Sequence, residues 1–211
     1  MSIVPQTGLL RKLYQVAVED IEHNSSAFWQ AYLQRAFNET DTYSVTTDPF
    51  PWSPKADILV TRYDDRDDST LTNVILAECH RPAESLHDVE KRALDVALGF
   101  IEAEDLAWIY VVTTIRVSFR VWVLYACSDV LDPMDRLEGR GDRELYEDAD
   151  SKDASVLTKA VGMIKIGQAR PCEEGKKSLL AAGGGKGYGS SSEQQEHDNT
   201  GKPVSEHIKG G

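Results

Sequence analysis

The stretch "NVILAECHRP", Asn73–Pro82, decides how the chain is read. Its first half, "NVILA", is a run of β-branched and aliphatic residues after Asn73, the composition of a buried strand. Its second half puts Glu78 and His80 two residues apart just where Pro82 must stop the strand. Side chains alternate along a strand. Ile75, Ala77 and Cys79 should therefore share one face, and Val74, Leu76, Glu78 and His80 the other.

The segments on either side set the context. "KADILVTRYD" alternates as a strand over 56–63, and "DDRDDST" reads as a polar hairpin tip joining it to 73–79. "TYSVTTDPF" is a short edge strand, ended by prolines at 49, 51 and 54. After Pro82, Glu84 or Ser85 opens a helix over about 84–104. Leu86, Val89, Ala93, Leu94, Ala97, Phe100 and Ile101 line its buried face, and His87 faces solvent. "AWIYVVTTI" and "SFRVWVLYAC" are two strands joined by a short link, hence antiparallel neighbours. In the second, Phe119, Val121, Val123 and Tyr125 share one face, and Arg120, Trp122 and Leu124 the other.

Two N-terminal helices, about 6–22 and 26–38, follow from the helical spacing of Leu9, Leu10, Leu13, Val16 or Ala17 and Ile21, and of Phe28, Trp29, Tyr32, Leu33, Ala36 and Phe37. "ASVLTKAVGMIKI" is a last helix, with Val156, Ala160, Met163 and Ile164 inward. "DVLDPMDRLEGRGDRELYEDADSKD" before it reads as a polar connection, and its Arg140-Gly141-Asp142 tripeptide as a chance adhesion motif. The order α-α-β-β-β-α-β-β-α specifies an α/β fold in one domain, residues 1–170. Residues 171–211 are Gly/Ser-rich, with too little apolar surface to offset chain entropy, and are expected to be a disordered tail and a docking segment for protein partners. "GGGKG" in the tail lacks the spacing of a phosphate-binding loop.

With a net charge of −12, nonspecific nucleic-acid binding is opposed, because that binding relies on neutralising phosphates. The tail is not the source, since residues up to 170 carry 18 Lys and Arg against 29 Asp and Glu. No apolar run is long enough for a membrane span, and the N-terminus lacks a signal-peptide layout. An intracellular location, cytoplasmic or nuclear, with no membrane partner, is the expectation, and the sequons at Asn24 and Asn38 are then chance matches. Cys79, Cys127 and Cys172 show no CxxC pairing. Cys79 and Cys127 read as buried strand residues rather than catalytic thiols.

Chemistry concentrates at one end of the central hairpin. Asp57 opens its first strand and Glu78 closes its second, so two carboxylates and the His80 imidazole fall near one another. Carboxylate oxygens bind Mg²⁺ or Mn²⁺, and such an ion activates water and holds phosphate. A plainer reading makes Glu78 half of a solvated pair with Arg62 or Arg81. Trp29, Trp108 and Trp122 read as packing residues, with Trp122 beside Arg120 also a candidate base-stacking platform. Thr113 and Thr114 read as ordinary strand residues.

"PKAD", ending at Asp57, and "ECH", Glu78–His80, together resemble the motif of the PD-(D/E)xK nuclease superfamily. Fungal members of that superfamily are similar over about residues 20–168, including "IYVVTTIRVSFRVWVLYA" and "AVGMIKIG". The resemblance implies a restriction-endonuclease-like core with added terminal helices. It implies metal ligation by Asp57 and Glu78, with His80 as the third catalytic group and Mg²⁺ or Mn²⁺ as cofactor. Two departures stand out. His80 occupies the position of the motif lysine, and two residues separate Pro54 from Asp57. Lys55 and Lys91 are candidates for a migrated lysine, and Glu19 or Glu22 for a further acid. Because a neutral imidazole does not replace an ammonium cation, the expectation is a nuclease-fold protein with weakened or lost catalysis, serving as a binding or accessory module. The rivals are an active metal-dependent DNA or RNA phosphodiesterase and an accessory protein of a fungal pathway with no nucleic-acid role.

Overall fold

Among the described residues seven strands form one mixed sheet with helices on both faces. The computed structural model describes residues 1–19, 24–47, 56–64, 70–80 and 84–167. Helices α1 (Leu9–Glu19) and α2 (Asn24–Ala36) precede β1 (Tyr43–Thr46), β2 (Ile58–Asp64) and β3 (Thr70–Cys79). Then come α3 (Leu86–Glu104), β4 (Trp108–Ile115) and β5 (Ser118–Tyr125). The last described elements are β6 (Asp132–Pro133), a 3₁₀ turn (Arg143–Leu145), β7 (Glu147–Asp148) and α4 (Ser155–Lys165). The expected element order is observed. The polar connection adds the two short strands, which pair with β5. The tip of the β2–β3 hairpin (65–69), the prolines at 49, 51, 54 and 82, Ile21, Glu22, Lys55, Arg81, Cys172 and the tail 171–211 lie outside the described residues.

Strands run in the order β1-β2-β3-β4-β5-β6, with β7 beside β5. The β1–β2–β3 meander and the β4–β5 hairpin are antiparallel, whereas β3 and β4 are parallel. A parallel pair needs a long crossover, and α3 supplies it. Ser85 caps this helix. Its hydroxyl accepts from the Asp88 N–H, and the Asp88 carboxylate accepts from the Ser85 N–H. Val89, Ala93, Ala97 and Phe100 are buried at helical spacing, so the crossover lies flat on the sheet. Asp105, at φ 52, ends the helix in the left-handed conformation, and its N–H donates to the Ile101 carbonyl.

The strand alternation sorts side chains into two cores. Ile58, Val60, Ile75, Ala77, Phe119, Val121 and Val123 pack with Leu10, Phe28, Trp29, Leu157 and Ile164 of α1, α2 and α4. Leu59, Leu76, Val111, Trp122 and Leu124 pack with Ala93, Ala97 and Phe100 of α3. One strand position departs from simple alternation. Val74 joins the first core rather than Leu76's face, because the β2–β3 register slips between Val60 and Thr61. A bulge of this kind resets the side-chain phase. It turns Asn73 toward α3, where its amide donates to Glu104 at the helix end. In α4, Leu157 and Val161 are buried, while Val156 and Met163 only flank the core. Leu9 of α1 is exposed. No helix among the described residues is long and apolar enough to cross a membrane.

The cap makes a testable demand. Ser85→Ala should lower stability by about 1 kcal/mol, read as a reduced urea midpoint at unchanged slope. Hydrogen bonding to Ser85 holds the Asp88 carboxyl below its ordinary value. A carboxylate depressed in the folded state stabilises fully above the unfolded pKa, about 3.9, and loses that contribution as pH falls through the lower folded value. The wild-type advantage over Ser85→Ala should therefore shrink below about pH 4.

Candidate functional site

The β2–β3 register pairs Ile58 with Ala77 and Leu59 with Leu76, so one further step sets Asp57 opposite Glu78. Glu78 lies beside Thr113 of β4, and Thr113 lies opposite Arg120 of β5. A polar row Asp57–Glu78–Thr113–Arg120 thus crosses four strands on the α3 face, one layer beyond the apolar row Leu59–Leu76–Val111–Trp122. It sits at the carboxyl ends of the two parallel strands, where open α/β sheets place their ligand crevices.

At one end of the row a single guanidinium gathers three acids. Arg92 Nε and Nη2 donate to the two oxygens of Glu84 at 3.0 and 2.8 Å. Nη2 also donates to the Cys79 carbonyl at 3.1 Å. Nη1 donates to Asp57 Oδ2 at 3.3 Å and to Glu78 Oε2. All five N–H donors of the guanidinium find acceptors, the condition under which a buried arginine is tolerated. Burial works against the Arg92 charge, but the Glu84 hydrogen bonds and the charges of Glu78, Glu84 and Asp57 outweigh it and hold its pKa above the ordinary value. Asp57 Oδ2 takes a second bond, from the Cys79 N–H at 2.8 Å, which closes the hairpin end. The Glu78 side chain is 0% exposed, so the cation from α3 is what offsets the desolvation of its charge.

The expected constellation is thus brought together in two of its three members. Asp57 and Glu78 converge on one nitrogen. His80 follows the last residue of β3, and its N–H extends the ladder to the Thr114 carbonyl. Among the described residues its imidazole forms no hydrogen bond to either acid. Of the two arginines expected for Glu78, Arg81 lies outside the described residues and Arg62 does not pair with it among them. The partner of Glu78 is Arg92, and Arg62 faces Asp64 at 3.7 Å. Lys91 is exposed, one residue and therefore 100° of helix away from Arg92. Glu19 ends α1, which packs on the opposite face of the sheet.

Sequence reasoning missed Arg92 and Glu84. The available signal was spacing. Arg92 is three residues after Val89 and four before Val96, the border of the buried stripe and level with the end of β3. A long basic side chain at such a border reaches under the helix to the strand ends.

At the other end of the row lies a second buried network. Trp122 Nε1 donates to Thr113 Oγ1 at 2.9 Å, and the Thr113 and Tyr146 hydroxyls meet at 2.8 Å. Tyr146 donates to Glu90 Oε1 at 3.1 Å, so Thr113 is the donor to Tyr146. Glu90 Oε2 accepts the Gly141 N–H at 2.8 Å. Burial raises the Tyr146 pKa and the Glu90 charge adds to it. Arg120, 1% exposed, stacks over Trp122 at 4.2 Å and donates to the carbonyls of Leu137 and Gly139. Thr113 is therefore the hub of a network rather than an ordinary strand residue. Arg120 covers one face of the Trp122 indole, which is 1% exposed.

As arranged, the residues do not fit a divalent cation. Asp57 and Glu78, the residues that would hold such an ion, already share Arg92 Nη1, and a second positive charge there would be repelled. Among the described residues no group of three or more His, Cys, Asp or Glu side chains is placed to hold a metal ion. Cys79 is buried, and that burial pushes its thiol up to about 12. Cys127, in contrast to its expected burial, is exposed, because β5 ends two residues earlier at Tyr125. The chain has no significant match among protein-family models, curated proteins or solved structures.

Removing one partner of a buried pair is more destructive than removing both. Arg92→Met should lose about 3–5 kcal/mol in urea unfolding, and Arg92→Met combined with Glu78→Leu should recover much of it, with a clear coupling energy in the double-mutant cycle. For the thiols, iodoacetamide at pH 8 should modify Cys127 rapidly in the native protein and Cys79 only after unfolding, as read by peptide mass spectrometry.

Proposed function

We propose that this chain is a PD-(D/E)xK-type nuclease-fold protein whose catalysis is weakened or lost, and that it serves as a binding or accessory module. One observation carries the reading: Arg92 Nη1 donates to both Asp57 Oδ2 and Glu78 Oε2, the two acids that match the superfamily's metal-binding positions. A fixed positive charge on the protein then takes the place of a mobile divalent cation. It neutralises the acids without supplying a site at which water is activated or a phosphate oxygen coordinated.

Other observations support the reading. The antiparallel β1–β2–β3 meander followed by α3 and the parallel strand β4 agrees with the core order that the resemblance implies. Asp57 and Glu78 stand opposite each other at the hairpin end, as the motif requires. The position of the motif lysine is His80, whose imidazole bonds to neither acid. The net charge of −12 opposes the broad phosphate contacts that a nuclease needs to hold its substrate.

Thermal melts with Mn²⁺ or Mg²⁺ test this directly. Wild type should show no metal-dependent rise in Tm and no cleavage of plasmid or single-stranded DNA. Arg92→Met, once its lower baseline is recorded, should gain stability with Mn²⁺, about 2.7 kcal/mol at a hundredfold excess over Kd. Asp57→Asn in that background should abolish the gain. Metal-dependent cleavage by wild type that disappears in Glu78→Gln would establish an active phosphodiesterase instead.

A further inference from the structure

A cleft of about 280 Å³ opens between α3 and the connection that follows β5, away from the Arg92 cluster. His87, Glu90, Lys91 and Leu94 line it from the helix, Trp122 from β5, and Leu131 and Arg140 from the connection. Its lining is mixed, with three apolar side chains among four polar or charged ones. Leu94, Trp122 and Leu131 belong to the α3-side core. Lys91 and Arg140 are both exposed, and neither forms an ion pair among the described residues. Arg140 and Lys91, whose charge also acts on Asp88 one turn away, set two cations beside one cleft in a chain of net charge −12.

The walls are held in place. Arg120 fixes the carbonyls of Leu137 and Gly139 from below, and Glu90 fixes the Gly141 N–H. Gly141 stands at φ +68, a conformation in which other residues are strained. The connection is thus tied to the sheet by Arg120 and to α3 by Glu90, on either side of Arg140, and a preformed cleft loses little entropy when filled. Glu90 also sets a polarity. Its carboxylate stands in the wall and is satisfied by Gly141 and Tyr146, so an anionic group is unwelcome beside it and is drawn to Lys91 and Arg140.

We infer that this cleft binds a small amphipathic organic anion, with a compact apolar body against Leu94, Trp122 and Leu131 and its charged head at Lys91 and Arg140. The size suits a ligand of one or two fused rings or a short aliphatic chain, and the head is a carboxylate, sulfonate or phosphate. The site stands apart from the Asp57–Glu78 pair and does not depend on the nuclease-fold reading.

The probe is 8-anilinonaphthalene-1-sulfonate, followed by its own fluorescence and by quenching of tryptophan emission. Wild type should bind it saturably at one site. Lys91→Glu combined with Arg140→Glu, both at exposed positions, should weaken binding at least tenfold at unchanged Tm. Leu94→Trp, which fills the cleft, should abolish it, and Asp57→Asn should leave it unchanged. Decanoate should compete, whereas decanol, with the same tail and no charge, should compete at least tenfold less well. No saturable binding by wild type, or binding indifferent to the double charge reversal in a folded protein, would overturn the assignment.

Discussion

The guanidinium of Arg92 ties together the parts of this molecule that the chain alone leaves separate. It joins the start of β2 through Asp57, the end of β3 through Glu78 and the Cys79 carbonyl, and the residue before the α3 cap through Glu84. Without that charge, Glu78 would carry a desolvated carboxylate into the sheet with its main cation removed. Buried ion pairs add little net stability over a well-packed apolar substitute. The contribution here is therefore positional, holding the hairpin end and the beginning of the crossover in one register. The same nitrogen contacts both acids, and the proposed loss of metal chemistry rests on that contact.

Asp57, Glu78, Thr113 and Arg120 form one continuous polar row, yet its two ends are solved differently. At the Arg92 end three carboxylates converge on one cation. At the Arg120 end a buried cation and a buried acid, Glu90, each take backbone groups of the same connection. Low dielectric makes each of these groups expensive unless satisfied. Satisfying them through the backbone shapes the 131–146 segment, which periodicity alone would leave as featureless polar chain. The cleft beside Arg140 is a product of that constraint.

Much of the architecture was legible. The strand run in "NVILAEC", the capped helix after it and the β4–β5 pair were readable because period-2 and period-3.6 patterns report burial directly. The convergence of Asp57 and Glu78 followed from the same alternation and a hairpin. Val74 was misplaced because a bulge changes phase without any mark in local composition. Cys127 was misplaced because the apolar run outlasts the strand by two residues. Arg92 escaped because a basic residue on a helix is usually solvated, and only the end of a neighbouring strand makes it otherwise.

Composition and periodicity, then, determined the order of elements, the two-faced sheet and the two acids facing α3, since all of these are set by which residues leave water. The tertiary structure decided the partner of those acids. Arg92 stands 14 residues beyond Glu78 and 35 beyond Asp57, and its reach to both depends on how α3 lies across the parallel pair. Electrostatic pairing is a matter of distance in space, and helix packing sets that distance only once the chain has closed on itself.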